Sequence, residues 1–246
     1  MRYLILSDLH GNWEALEAVV RETAGTYDQA LCCGDLVGYG ADPNPVVDWV
    51  RANCTAVVRG NHDKACTSQE ELHWFNPVAR SAALWTFENL TPDNSEYTRT
   101  LSQGPMVVED FEIVHGSPFD EDEYVLAVDE AGQAFGYLER RVAFFGHTHV
   151  QGGFIWNHSR VETIPRPSPR KVRQELQIDP DCAYLINPGS VGQPRDGDPR
   201  AACVTYDSGA GMLTYCRFEY DIEAAQRKIR EAGLPTILAD RLLVGR

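Results

Sequence analysis

The sequence predicts an α/β fold with a mostly parallel sheet. Two observations support this. Three short apolar runs near the N-terminus, Tyr3 to Leu6, Ala30 to Cys33 and Ala56 to Val58, each read as a buried strand that ends in a polar loop. The first two loops lead into segments whose apolar residues recur at helical spacing, and alternating strand and helix is the pattern of helix-covered parallel sheets. The polar residues therefore collect on one rim, beyond the strand carboxyl ends, where open α/β sheets bind ligands.

In the first unit, Asp8-Leu9-His10-Gly11-Asn12 follows the strand, and Trp13, Leu16, Val19 and Val20 mark a helix that starts near Asn12. In the second, Gly34-Asp35 ends the strand and Gly38-Tyr39-Gly40 forms the loop. Asp42 and Pro43 read as N-cap and first helical position, with Val46, Val47 and Val50 on the apolar face. The third strand runs into Gly60-Asn61-His62-Asp63. Residues 76–102 read as a helical segment opened by Asn76-Pro77 and Thr91-Pro92, either plain covering helices or a cap beside the site.

Met106 to Val108 and Glu112 to Val114 read as a hairpin, and the second strand leads into His115-Gly116. The acidic run Asp120 to Glu123 reads as a solvated face. Ala131, Phe135 and Leu138 mark a helix, and Val142 to Phe145 a strand ending in Gly146-His147-Thr148-His149. If extended, this segment would point both imidazoles to one side. A hairpin (154–156 and 161–164), a half-exposed alternating strand (172–178) and three more strands (183–186, 202–206, 213–218) follow. A helix capped by Asp221 and a short terminal helix end the chain, which reads as one domain over residues 1–246.

Composition narrows the function classes. The formal net charge of −14 opposes binding of a nucleic-acid polymer. The seven cysteines are odd in number and form no C-x-x-C pair, so they are expected to be free thiols in a reducing compartment. The N-terminal apolar run is too short for a signal peptide, and no run approaches membrane-spanning length. A cytoplasmic protein without a membrane partner is expected.

The polar residues after the strands are Asp8, His10, Asp35, Asn61, His62, His115, His147 and His149, and they include five of the chain's seven histidines. All but His62 are ligand types that suit borderline-hard divalent metals. His62 is better kept as a proton donor. Asp63 reads either as a helix cap or as the carboxylate that orients His62. Arg59, Tyr39, Tyr124 and Arg195 are candidate substrate contacts.

Asp8-x-His10, Gly34-Asp35, Gly60-Asn61-His62-Asp63, His115 and Gly146-His147-x-His149 together resemble the five-part pattern of the calcineurin-like metallophosphoesterases. Chain length and Asn187-Pro188-Gly189-Ser190-Val191-Gly192 are similar to the compact bacterial and archaeal phosphodiesterase branch. The resemblance implies a four-layer α/β/β/α sandwich of two facing mixed sheets. It implies two divalent ions bridged by Asp35, one also held by Asp8, His10 and His149, the other by Asn61, His115 and His147. Manganese is expected, with iron, nickel or zinc as alternatives. A hydroxide between the ions would attack a small phosphodiester or nucleotide, with His62 protonating the leaving group.

Two alternatives stand beside this expectation. Protein phosphatases and dinucleoside-polyphosphate hydrolases resemble Gly-Asp-x-x-Asp-Arg-Gly after the second strand, whereas this chain has Gly34-Asp35-Leu36-Val37-Gly38-Tyr39-Gly40. Some relatives are silent binding scaffolds that have lost the catalytic histidine, but His62 is present here.

Overall fold

The polar loops expected at one rim are brought together by two sheets rather than one. A computed structural model describes residues 1–246, with the side chain of Gln69 outside that description. Strands β1 (Arg2–Leu6), β2 (Gln29–Cys32) and β3 (Cys54–Val57) pair in parallel, linked by helices α1 (Trp13–Thr23) and α2 (Pro43–Asn53). Helix α3 (Asn61–Ala65), a 3-10 turn (Gln69–Trp74), α4 (Pro77–Asn89) and α5 (Pro92–Arg99) follow. The hairpin β4 (Met106–Val108) and β5 (Phe111–Ile113), helix α6 (Val128–Phe135) and β6 (Val142–Phe144) open the second half. Strands β7 (Gly152–Trp156), β8 (Val161–Thr163), β9 (Arg173–Gln177), β10 (Ala183–Asn187), β11 (Ala201–Asp207) and β12 (Met212–Phe218) precede α7 (Ile222–Glu231) and α8 (Thr236–Leu242).

The mostly parallel sheet read from the local pattern is corrected to two mixed six-stranded sheets, ordered β3-β2-β1-β11-β12-β9 and β4-β5-β6-β10-β7-β8. Each is built on a parallel triplet, β3-β2-β1 or β5-β6-β10, extended by antiparallel neighbours. Among these neighbours β9 alternates between half-buried and exposed residues, as suits an antiparallel edge, whereas β11 and β12 are mostly buried.

Strand alternation separates the layers. Tyr3 and Ile5 of β1 face inward with Phe111, Phe144 and Tyr206 into the core between the sheets, where Tyr3 meets Phe111 edge-on at 4.9 Å. Leu4 and Leu6 face outward onto Leu16, Val19, Val46 and Val50. On the other side Ala143, Phe145 and Leu185 pack against Ala131 and Ala134 of α6. The order is helix, sheet, sheet, helix.

The 76–102 segment forms two helices, and Ala83 and Leu90 of that segment pack into the outer core of the first sheet. Asp42 stands at the N-cap position of α2 but makes no cap bond; its carboxylate pairs with Lys228 at 2.7 Å. Among the described residues no helix is long and apolar enough to cross a membrane, and all seven cysteines are free thiols.

Candidate metal centre

The strand-end residues converge into two touching clusters. One ligand atom each from Asp8, His10, Asp35 and His149 lies within 4.8 Å of the others, and the same holds for Asp35, His115 and His147. Asp35 belongs to both. Its Oδ2 lies 3.5 Å from Nε2 of His10 and 3.5 Å from Nε2 of His115, while Oδ1 accepts the His62 backbone N–H at 2.8 Å. Asn61 joins the second cluster, with Oδ1 3.3 Å from Nε2 of His115.

The backbone that aims these groups is unusual. Asp8, His10, Asp35, His147 and His149 all have left-handed φ, between 48° and 65°. Non-glycine residues rarely adopt this conformation, and it persists where surrounding structure enforces it. It overturns the extended reading of His147-Thr148-His149: the two imidazoles serve different clusters. The enforcing bonds come from neighbouring loops. Asp8 and His10 donate their N–H to the carbonyls of Gly34 and Asp35, at 2.9 and 3.0 Å. Asn187 Nδ2 donates to the Gly146 carbonyl at 2.9 Å, and Ser190 Oγ to the Asp8 carbonyl at 2.8 Å. The Asn187-to-Gly192 turn thus laces the first loop to the last. At Gly60 any Cβ would run into Oδ1 and the backbone nitrogen of Asp35.

The donor set fits a divalent cation. Nδ1 of His10, His115 and His149 donates to the carbonyls of Val37 (3.0 Å), Cys33 (2.7 Å) and Gln193 (2.6 Å). That leaves each Nε2 as a lone pair aimed inward, the second-sphere arrangement typical of metal-binding histidines. The Nε2 atoms of His10 and His149 then face each other at 3.1 Å, and Nε2 of His115 faces two acceptors. Asp8 Oδ2 is buried without a hydrogen-bond partner. Lone pairs so arranged repel unless a cation lies among them. His147 uses Nε2 on the Asp122 carbonyl (3.2 Å), leaving Nδ1 for a ligand.

The electrostatics without a metal agree. Burial pushes the His10 imidazole down to about 4 and that of His149 well below its usual value. Burial also opposes charge on His115, but the Asp35 and Asp8 carboxylates outweigh it and raise that ring to about 10.

His62 is buried among rings, 4.9 Å from His10, 4.3 Å from Tyr39 and 4.6 Å from Phe75 between centroids. Its Nδ1 has no hydrogen-bond partner. Burial holds its imidazole well below the usual range, while the Asp35 charge works to raise it. Of the two readings of Asp63, helix cap or orienter of that ring, its contacts favour the cap. Its carboxylate accepts four backbone N–H groups: Gly60 (3.0 Å), Asp35 (2.9 Å), Leu36 (2.8 Å) and Val37 (3.3 Å). It pins the α3 N-terminus to the loop that carries Asp35.

Comparison with known proteins agrees with this architecture. The calcineurin-like phosphoesterase superfamily domain model matches residues 1–209. The chain belongs to the calcineurin-like phosphoesterase superfamily. An uncharacterised protein of Methanocaldococcus jannaschii is 33% identical over 98% of this chain and 97% of its own length. A metallophosphoesterase from Sphaerobacter thermophilus has a crystal structure 39% identical in sequence, with a TM-score of 0.88 over 100% of this chain and 99% of that one. A hypothetical protein from Pyrococcus horikoshii shares the fold, with a TM-score of 0.77 at 16% identity over 100% of this chain and 98% of its own. The protein is a hydrolase acting on phosphoesters.

A cleft of about 440 Å³ opens onto the centre of this phosphoesterase, lined by Asn61, His62, His147, Tyr39, Tyr124 and Phe75 among others. A larger hollow, about 740 Å³ and lined by Glu109, Arg141, Asp179 and Ser208, contains none of the site residues. Three of the four candidate substrate contacts lie near the centre. Tyr39 is wedged between His10 and His62, with Arg195 Nη2 donating to its hydroxyl at 3.3 Å. Tyr124 stacks on His147 at 3.9 Å. Arg59 does not face the cleft: it forks onto Glu121, with Nη2 at 2.7 Å and Nε at 3.2 Å.

That fork corrects the reading of the acidic run as a solvated face at Glu121, while Asp120 and Asp122 remain exposed. Glu121 is buried, and Lys64 pairs with Asp122 at 2.9 Å, so the loop folds onto the centre. Two cations, Arg59 and Lys64, anchor part of the run, and the Asp122 carbonyl accepts the ring N–H of the neutral His147. Sequence reasoning also missed the supporting carbonyls of Val37, Cys33 and Gln193, because a backbone acceptor leaves no residue-type signal. The Asn-Pro-Gly-Ser motif was visible, but not what it ties together.

Proposed function

We propose that the protein hydrolyses a small phosphodiester or nucleotide at a centre of two divalent ions, carried by a single domain over residues 1–246. Asp8, His10 and His149 would hold one ion, Asn61, His115 and His147 the other, and Asp35 both. The observation that carries this reading is the single Asp35 oxygen set 3.5 Å from an imidazole nitrogen of each cluster. Manganese is the proposed ion, and the same nitrogen and oxygen donors accept iron, nickel or zinc. Bound ions would supply positive charge for the phosphoryl oxygens and a nucleophile available at neutral pH.

The chain supplies the rest. A water oxygen bonds to phosphorus as the bond to the leaving oxygen breaks, and that oxygen takes a proton from His62. Burial favours the neutral His62 ring. A phosphoryl anion beside it raises its pKa, so the proton arrives with the substrate. Asp35 fixes His62 through its backbone N–H. Arg195, braced by Gln193 at 3.0 Å and by Tyr39, offers its guanidinium to a phosphoryl oxygen.

One observation disfavours the protein-phosphatase branch. The family's Asp-Arg pair would fall on Gly38 and Tyr39, and a Cβ at Gly38 would come within 2.5 Å of His62 Nδ1. A cytoplasmic location is part of the proposal, supported by the free cysteines. The test is turnover of a panel of phosphomonoesters and phosphodiesters by protein loaded with Mn²⁺, Fe²⁺, Ni²⁺ or Zn²⁺, with metal content measured alongside. No turnover with any ion overturns the hydrolytic reading, and one ion per chain at full activity overturns the binuclear one.

A further inference from the structure

Beyond His62 the cleft is walled by aromatic rings, with Lys64 and the carboxylates of Glu71 and Asp122 beside them. Phe75 lies against the His62 ring, and Tyr124 lies 30° off parallel over His147. Trp74, at the end of the 3-10 turn, stands 87% exposed on the rim. Among the described residues no aromatic ring partners it. An indole placed on the edge of a cleft offers a stacking face to any flat ring.

The charges select what enters. Lys64 is a cation of this wall, and it is surrounded by carboxylates: Asp122 at 2.9 Å, Glu121 at 3.4 Å and Glu71 at 3.6 Å. The wall is therefore acidic on balance, which disfavours a leaving group carrying a second phosphate. Asn76 spends its Oδ1 on capping α4, at 3.1 and 3.0 Å from the N–H groups of Val78 and Ala79, so its amide N–H faces no competing role. The cleft's volume, about 440 Å³, is in the range of small-ligand pockets. A neutral, flat group with hydrogen-bond acceptors on its edge fits these walls.

We propose that this cleft is a nucleoside subsite: the alcohol that departs at His62 carries a purine or pyrimidine base stacked on Trp74 and Tyr124. The inference rests on the reading of His62 as proton donor. The phosphorus–oxygen bond to the nucleoside breaks, its electron pair stays on the nucleoside oxygen, and that oxygen takes the His62 proton. The products are a free nucleoside and the phosphate group with one added water oxygen.

The test is equilibrium binding of adenosine, ribose and choline to the Mn²⁺-loaded full chain, run beside hydrolysis of bis(p-nitrophenyl) phosphate. Adenosine is expected to bind where ribose does not. Trp74→Ala should weaken it about tenfold or more, and Trp74→Phe should restore most of the loss. Because Trp74 is exposed, neither change threatens the fold. Adenosine binding no tighter than ribose, choline binding tighter than adenosine, or an indifferent Trp74→Ala overturns the subsite while hydrolysis of the aryl ester stands. Adenosine binding without hydrolysis of any ester overturns the hydrolytic reading, and with it the leaving-group assignment.

Discussion

The Nε2 atoms of His10 and His149 face each other across 3.1 Å, and each ring's Nδ1–H is already committed to a backbone carbonyl. Neither ring can turn away without stranding a buried donor, which costs about 1–3 kcal/mol. The pair is held in a repulsive geometry that a cation relieves. Asp35 extends the same logic to the second cluster.

Metal should therefore stabilise the protein. An ion at a hundred times its dissociation constant adds about 2.7 kcal/mol, which for a chain of this size raises the melting temperature by about 5–10 °C. Chelation should reverse the shift. Asp35→Asn should lower bound metal below that of the wild type in elemental analysis and shrink the melting shift. Unchanged metal content in Asp35→Asn would remove the bridging role.

His62→Ala should reduce kcat by about 10²–10⁴-fold while leaving metal content intact, the range expected for loss of a general acid. Leaving-group dependence is the sharper measurement. An ester of p-nitrophenol needs little proton assistance, so it should lose less than an alkyl ester. Equal losses for the two esters would point to a positioning role instead.

The centre was legible in sequence because its ligands are side chains placed directly after apolar runs, and residue type reports them. The two-sheet architecture was not, because β1 pairs with β11 and β6 with β10 across long stretches of chain. Local alternation reveals a strand but not its partner. The roles of Asp63, Arg59 and Glu121 were hidden for a related reason. Each is decided by a backbone or side-chain partner that only the folded loops bring near.

Asp63→Ala should destabilise the fold more than an ordinary surface change. It leaves the buried N–H groups of Gly60, Asp35, Leu36 and Val37 without their acceptor, a loss of about 3 kcal/mol or more. Urea unfolding would register the loss as a lower midpoint. Asp63→Asn, which retains one acceptor oxygen, should recover part of it. A change in the kcat pH profile with stability unaltered would instead restore a direct partnership with His62.

Stability of the metal-free protein should fall as pH drops from about 6.5 toward 4. Burial lowers His10 to about 4 and His147 to about 3, and holds His62 and His149 well below their usual value. These four rings stay neutral in the fold but take up protons when unfolded below 6.5, so acid favours the unfolded chain. Three groups act in the opposite sense: Asp8 and Asp63, which burial raises to about 7, between about 4 and 7, and His115, raised to about 10 by its carboxylate neighbours, only at the top of the window, so the four rings prevail. Bound metal should deepen the decline, since protons compete for its ligands. Melting curves at stepped pH check this, and a flat profile over the window would contradict it.

Arg59→Ala separates a structural role from a phosphate contact. The change removes a two-bond fork from a buried Glu121 carboxylate, leaving Lys64 at 3.4 Å as its remaining cation. The loss should be about 1–3 kcal/mol, between the exposed and buried limits for ion pairs. The same loop lends its Asp122 carbonyl to His147, so hydrogen exchange at residues 117–124 should quicken and metal affinity should fall modestly. Adding Glu121→Gln should recover part of the stability, because a neutral amide needs no counter-charge. A phosphate-binding Arg59 would give the reverse pattern: KM would rise with no change in stability or exchange, and Glu121→Gln would rescue nothing.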